Sequence, residues 1–286
     1  MRSIADIVEQ CRLSGRSFSE QALAMESEET GVAESLLRTG MLSRLKDMEF
    51  SVREAVSKEW RGLIVPAEAH LIEQYAGQGG AFSGPYVLSA ARIAMAVSTY
   101  NAAMGRIVAA PTAGSCGILP GMLFACREQF GTENHVLLSG LFAAAAVGEV
   151  TAARATLAGA SGGCQAECGA AAAMGAAALV TVRGGSADAV SSAVALTFKS
   201  ILGLVCDPVG GLVECPCVKR NAMLVSLGTL GADLALAGVK SLIPADEVID
   251  AMGQIGRALP GTLRETGLGG LAVTPTGKAL AEGTGM

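Results

Sequence analysis

Three segments of the chain combine thiols with glycine, two of them also with proline, in a pattern suited to holding a ligand. They read APTAGSCGILPG (110–121), GASGGCQAECG (159–169) and VCDPVGGLVECPCVKRN (205–221). Ordinary connections between helices are shorter and more polar, and loops of this kind usually carry function. Cys164 opens an alanine-rich run, and Cys217 opens a run that continues through Met223 and Leu227. If both runs are helices, the positive partial charge at each N-terminus favours thiolate and lowers the cysteine pKa. Cys206 directly precedes Asp207 and Pro208. Gly210 and Gly211 beyond them permit a sharp return and let backbone N–H groups approach an inorganic sulfur. No CxxC pair is present and neither histidine lies near these cysteines, so the spacing does not suit zinc. It does not match the ferredoxin runs either. Two readings stand on spacing alone: an iron–sulfur centre of unusual type, or free cysteines packed as small hydrophobes in a small-residue core.

Helices must position these loops. Leu36, Leu37, Met41, Leu42, Leu45, Met48 and Val52 recur at helical spacing, which predicts an amphipathic surface helix over about 32–60. Segments near 87–104, 118–130, 134–157, 165–182, 188–202, 218–239 and 245–258 each read as helix, with Asp188 as an N-cap and Gly203 as a C-terminal stop. No sustained period-2 alternation appears, so little sheet is expected. The fold class is all-α. A single multi-helix domain spans 1–286, with charged N-terminal helices over 1–61 and an apolar helical core over 87–286. Its central Ala/Gly-rich helices are buried on several faces, and the candidate cluster site sits in inter-helix loops.

Composition narrows the function. Half of the residues (51%) are hydrophobic and 16% are charged, which excludes disorder. A net charge of −5, a pI of about 5.2 and the absence of a basic cluster argue against a nucleic-acid partner. A mean hydropathy of +0.45 raises the membrane question. Uncharged apolar runs such as 136–148 and 168–182 are shorter than the roughly 20 residues a span needs. The longer run 107–126 is broken by Pro111, Pro120, Gly114, Gly117 and Gly121. No apolar stretch follows the charged first residues, as a secretory signal would require. The expectation is a soluble, cytoplasmic protein with no membrane partner, and its eight cysteines are not a disulfide framework. TPTGKAL lacks the first glycine of a P-loop, and GLGGLA lacks the third glycine of a dinucleotide fingerprint, so that region reads as a turn or a docked tail.

The combination of SGGCQAE, CDPVGGLVECPCVKRN and the upstream APTAGSCGILPG resembles the alpha chain of the iron–sulfur-dependent L-serine dehydratases (L-serine ammonia-lyases). The resemblance extends over essentially the whole chain, to GGLAVTPTGKAL near its end. It implies an all-helical catalytic domain that binds a [4Fe–4S] cluster through Cys164, Cys206 and Cys217. Cys116, Cys126, Cys168 and Cys215 fall outside those ligand positions and are expected to be packing thiols. Some relatives end in a further cysteine that enters the site. The tail AEGTGM has none, which leaves one iron open to water, substrate or a partner chain. The resemblance also implies a separate beta chain able to contribute to catalysis. The implied reaction converts L-serine to pyruvate and ammonia, with an iron acting as Lewis acid on the hydroxyl.

The remaining candidates serve that chemistry. Thr112, Gly114, Ser115 and Gly117 are expected to form an anion-binding nest for the substrate carboxylate. Glu167, three residues after Cys164, is a candidate base or supporting group, and Lys199, ahead of the Cys206 loop, either reaches the site as a catalytic group or complements its helix C-terminus. The base itself is left open, with a partner chain as a further source. His70 and His135 are weaker candidates, because a lone histidine is more often structural. Arg220 and Asn221 are placed to orient the cluster loop. No lysine stands in a setting that singles it out as a Schiff-base residue for pyridoxal phosphate. The competing readings are an L-cysteine desulfidase with nearly the same motifs, a non-catalytic iron–sulfur sensor, and a transporter suggested by hydropathy alone.

Overall fold

The computed structural model describes residues 3–285, and its described residues form thirteen α-helices and no strand. Three helices make an outer layer: α1 (Ile4–Ser14), α2 (Phe18–Thr30) and α3 (Glu34–Ser57). Ser17 and Glu20 close a reciprocal capping box at the start of α2. Helix α3 is the amphipathic element expected from the leucine and methionine spacing. It buries Leu45, Met48, Val52 and Ala55 and leaves Leu36 exposed.

After α4 (Ala69–Gly77), the core is built from α5 (Pro85–Ala102), α6 (Ile118–Phe130), α7 (Asn134–Arg154), the single turn α8 (Gly159–Gly162), α9 (Ala170–Val182), α10 (Ala187–Lys199), α11 (Cys217–Leu236) and α12 (Ala245–Ala258). A short α13 (Pro275–Glu282), capped by Thr274, follows. Helix α9 is the axis. It is buried continuously from Ala170 to Val180 and packs against α6, α7, α10 and α11. A helix enclosed on all sides has no polar stripe, and its run of alanines lets the neighbouring backbones come close. At Gly228 of α11 a Cβ would lie 2.7 Å from the Ala172 carbonyl of α9. At Gly117, just before α6, one would lie 2.1 Å from the Ala94 carbonyl of α5. Glycine is required at such crossings.

Three boundary details depart from the sequence reading. Ser186 caps α10 by accepting from the Ala189 N–H, while Asp188 lies within the first turn and pairs with Arg12. The same helix stops at Lys199, and Gly203 comes later, in left-handed backbone. Helix α7 is 21 residues long, and both it and the segment Gln165–Val182 are long and apolar enough to cross a membrane. Counting uncharged runs missed this because α7 continues past Glu149 to Arg154. In this fold 61% of the most apolar 18 residues of α7 and 83% of Gln165–Val182 are buried inside the protein.

Candidate active site and thiol cluster

The three glycine-rich loops meet at one end of α9, together with a fourth segment, 260–271. Between them lies a cavity of about 240 Å³ lined by Gly114, Glu167, Cys206, Gly211, Cys217 and Glu265, among others.

The Cys164 loop is shaped by a π-helical turn, Gln165–Gly169, that runs into α9. Such turns are rare and concentrate at functional sites. Gln165 is fully buried and fixes the turn. Its amide donates to the Gly162 and Met252 carbonyls at 2.9 and 3.3 Å and accepts from the Gly203 N–H at 2.8 Å. Gly163 has φ +75, and a Cβ there would come within 2.8 Å of the Leu204 carbonyl, so the loop lies directly on the chain leading to Cys206. Cys206 then pairs with the fourth segment. Its N–H donates to Leu263 at 2.9 Å, and its carbonyl accepts from Glu265 at 2.8 Å.

Asp207, Arg220 and Asn221 lock these loops together. Arg220 donates to the Val205 carbonyl at 3.0 Å and to Asp207 at 2.8 Å, and Asp207 also accepts from the Leu271 N–H at 2.8 Å. Asn221, fully buried, donates to the Gly114 and Cys217 carbonyls at 2.8 and 2.9 Å and accepts from the Gly117 N–H at 3.0 Å. Glu214 accepts from the N–H groups of Leu63, Ile64 and Val65, tying the N-terminal part of the chain to the Cys217 loop. Cis peptide bonds precede Pro111 and Pro216 in two of the loops.

Cys164, Cys206 and Cys217 are all buried. Hydrogen bonds from Cys168 and Arg220 hold the Cys164 thiol below its ordinary pKa. Burial, and then the charge on Cys164, push Cys206 well above it. The same two causes push Cys217 up to about 12. The low pKa expected at both helix starts therefore holds for Cys164 alone. At Cys217, burial and a neighbouring sulfur outweigh the helix terminus, because loss of solvation exceeds the partial charge of one helix end. Among the described residues, no group of three or more His, Cys, Asp or Glu side chains is arranged to hold a single metal ion. A cluster makes a different demand, since its ligands sit on separate irons. Three buried sulfurs that cannot all be anionic by themselves form a donor set whose charge an iron centre would neutralise. The residues fit such a group.

Cys164 is not among the residues that line the cavity, and neither are the remaining thiols. Cys168 is fully buried next to Cys164 and donates to the Gly114 carbonyl at 3.6 Å. Cys116 and Cys126 are core residues, and Cys215 is half-buried.

Two carboxylates flank the cavity. Glu167 sits between two glycines. A Cβ at Gly114 would meet its Oε1 at 3.4 Å, and one at Gly159 would meet its Oε2 at 2.4 Å. It hydrogen-bonds Thr112 and lies 3.9 Å from the Cys206 sulfur, and burial raises its pKa. Glu265 was not visible as a site residue in the sequence. The only local signal is a charged Arg264–Glu265 pair ahead of GLGG in an apolar tail.

The expected substrate nest is divided. Gly114 lines the cavity and Thr112 bonds Glu167. Ser115 is fully buried and bonds back to Thr112, and the Gly117 N–H is taken by Asn221. Lys199 turns away, its Nζ donating to Ser241 at 3.1 Å. His70 lies beside Glu59, and His135 is exposed beside Glu133 at the start of α7. Neither lines the cavity.

A helical fold enclosing a cavity walled by two thiols and two carboxylates defines a class: an all-α protein with a candidate active site where its glycine-rich loops meet. The serine dehydratase alpha chain family model matches residues 14–272, and the chain belongs to that family. It is 45% identical over 282 residues to the probable L-serine dehydratase alpha chain of Bacillus subtilis (strain 168), covering 98% of this chain and 93% of the relative. It is 39% identical over 284 residues to the L-serine dehydratase alpha chain of Peptoniphilus asaccharolyticus, covering 98% and 97%. The L-serine dehydratase of Streptomyces coelicolor is 35% identical over 276 residues. That match covers 94% of this chain but 60% of the relative, which is a longer polypeptide.

Proposed function

We propose that this chain is the catalytic alpha subunit of an L-serine ammonia-lyase, with Cys164, Cys206 and Cys217 holding a [4Fe–4S] cluster. The observation that carries this reading is the convergence of Cys206, Cys217, Glu167 and Gly114 on one cavity, with Cys164 electrostatically coupled to both other sulfurs. When bound, the cluster would supply a Lewis-acidic iron for the serine hydroxyl.

The chain's own residues do the rest. The turn that begins at Ala113 presents Gly114 to the cavity, where backbone N–H groups would receive the substrate carboxylate. Glu167 accepts the α-proton. Thr112 orients its carboxyl group, and the glycines at 114 and 159 leave room for it. The hydroxyl departs as water, taking up the proton that Glu167 has accepted, and the aminoacrylate released tautomerises to the imine, which a water molecule hydrolyses to pyruvate and ammonia. Enclosure by the loops limits the access of bulk water during proton transfer. A beta chain would form part of the working assembly, as the alpha-chain names of two relatives suggest and as the greater length of the Streptomyces protein accommodates.

The deciding experiment is anaerobic purification with and without a co-expressed beta chain, followed by iron and acid-labile sulfide analysis and a pyruvate assay. About four iron and four sulfide per chain with turnover of L-serine supports the reading. Turnover of L-cysteine in place of L-serine would convert it to a desulfidase. Absence of iron after reconstitution would return the cysteines to a packing role.

A further inference from the structure

We infer that Glu265 binds the α-ammonium group of the substrate and so selects amino acids over hydroxy acids that lack the amine. This inference rests on the proposed reading of the cavity.

Glu265 has φ +64, left-handed backbone that residues other than glycine adopt only when their surroundings impose it. Here the surroundings do. Its N–H is bound to the Cys206 carbonyl at 2.8 Å, the Cys206 N–H is bound to Leu263 at 2.9 Å, and Leu263 is itself held to Pro260 at 2.9 Å. The strained backbone thus fixes Glu265 to a proposed cluster ligand. Its side chain lines the same cavity as Cys206 and Cys217. A Cβ built on Gly159 would lie 2.4 Å from Glu167 Oε2 and 3.2 Å from Glu265 Oε2, so both carboxylates converge over one glycine.

Neither carboxylate forms an ion pair among the described residues, and Arg220 is directed at Asp207 and Cys164 instead. Two converging carboxylates beside a small cavity suit a cation with several N–H donors. The zwitterion of serine brings one such group. With the hydroxyl assigned to the thiols and the carboxylate to the backbone N–H groups of the Gly114 turn, the ammonium is left for Glu265, since Glu167 already lies against Gly114 and Cys206. Glu167, in hydrogen bond with Thr112 and beside Cys206, is the proton acceptor. Glu265 is left to face the ammonium and so turn the Cα–H bond toward Glu167.

The test uses the chain in the assembly that releases pyruvate, purified without oxygen. Two variants are compared, Glu265→Gln and Glu265→Gly. The second removes the carboxylate while suiting the left-handed backbone. Iron and sulfide are measured first, then kcat and KM for L-serine, then inhibition by 3-hydroxypropanoate, which is serine without its amine. The expected result is unchanged iron, a KM for L-serine raised about tenfold or more, a smaller change in kcat, and unchanged inhibition by 3-hydroxypropanoate. An unaltered KM, a loss confined to kcat, or equal weakening of serine and 3-hydroxypropanoate overturns the inference. Loss of iron in both variants also overturns it, because Glu265 would then serve Cys206 alone. If the unsubstituted protein releases no pyruvate from L-serine, the functional reading itself fails. If it does and the variants match it, only the role of Glu265 fails.

Discussion

Arg220 and Asp207 form an ion pair at 2.8 Å with both side chains largely withdrawn from solvent, and the same guanidinium hydrogen-bonds the sulfur of Cys164. The pair joins three things that are far apart in sequence: the start of α11, the loop after Cys206, and the tail segment at Leu271. Asp207 is nearly inaccessible, so removing its partner strands a buried charge. Such losses cost about 3–5 kcal/mol. Arg220→Gln is expected near the low end, about 3 kcal/mol in urea unfolding, because Arg220 keeps some exposure. Arg220→Lys keeps the charge but cannot reproduce the fork of three contacts. It is expected to fold with a smaller loss and to release iron to a chelator faster than the unsubstituted protein.

Asn221 offers a second test of how the loops are joined. Its side chain satisfies two carbonyls and one N–H in a site with no access to water. Asn221→Ala leaves all three groups without that partner. The expected destabilisation is about 3 kcal/mol, measured by denaturant unfolding. A loss below about 0.5 kcal/mol, as for an ordinary surface change, would mean that the loops at 114–117 and 217 are held by packing alone.

The sequence offers both Glu167 and Lys199 as candidates, and the structure separates them: Glu167 lines the cavity and Lys199 does not. Glu167→Gln is expected to lower kcat by about 10²–10⁴ with iron content and KM little changed, as for removal of a positioned base. Lys199→Ala, which removes only the contact to Ser241, is expected to keep kcat within about twofold. Steady-state kinetics on protein of matched iron content decides both.

Much of the scaffold was legible because helices are local. The bounds of α6 follow from an apolar run closed by Gly131, and those of α12 from an amphipathic helical period closed by Leu259–Pro260. The three cysteine loops stood out because glycine and cysteine together, with proline in two of the loops, are unusual between helices. What was not legible depends on contacts between distant segments. Glu265 becomes a site residue only because its backbone pairs with Cys206. Ser115 and Gly117 turn inward because Thr112 and Asn221 take their hydrogen bonds. The cysteine pKa values could not be read from helix starts, because burial and neighbouring sulfur are properties of the assembled site.

Away from the site, the capping box of α2 carries an acid-sensitive contribution to stability. Hydrogen bonds from Ser17 hold the Glu20 carboxyl below its ordinary pKa. A group depressed by folding stabilises above its unfolded pKa, about 4.3 for glutamate, and that contribution is lost as pH falls through the lower folded value. Ser17→Ala is expected to cost about 1 kcal/mol at neutral pH. The difference from the unsubstituted protein should shrink below pH of about 4. Thermal unfolding across pH 3–7 reads both effects, and a difference independent of pH would assign the loss to helix propensity instead.

The cysteines give the most direct test of the cluster. Cys206 and Cys217 line the cavity, Cys164 is electrostatically coupled to both, and the three come from separate loops. Each of Cys164→Ser, Cys206→Ser and Cys217→Ser is expected to remove iron and activity together, since three thiolates cannot be replaced by two without opening a second iron. Cys168→Ser is the informative contrast. Its sulfur faces Gly114 and Asn221 rather than the cavity, so iron should be retained. Its hydrogen bond to Cys164 would be altered, and the electronic spectrum of the cluster should shift accordingly. If Cys168→Ser loses iron as completely as Cys164→Ser, the ligand set includes Cys168, and the π-helical turn that brings it beside Cys164 is itself part of the cluster site.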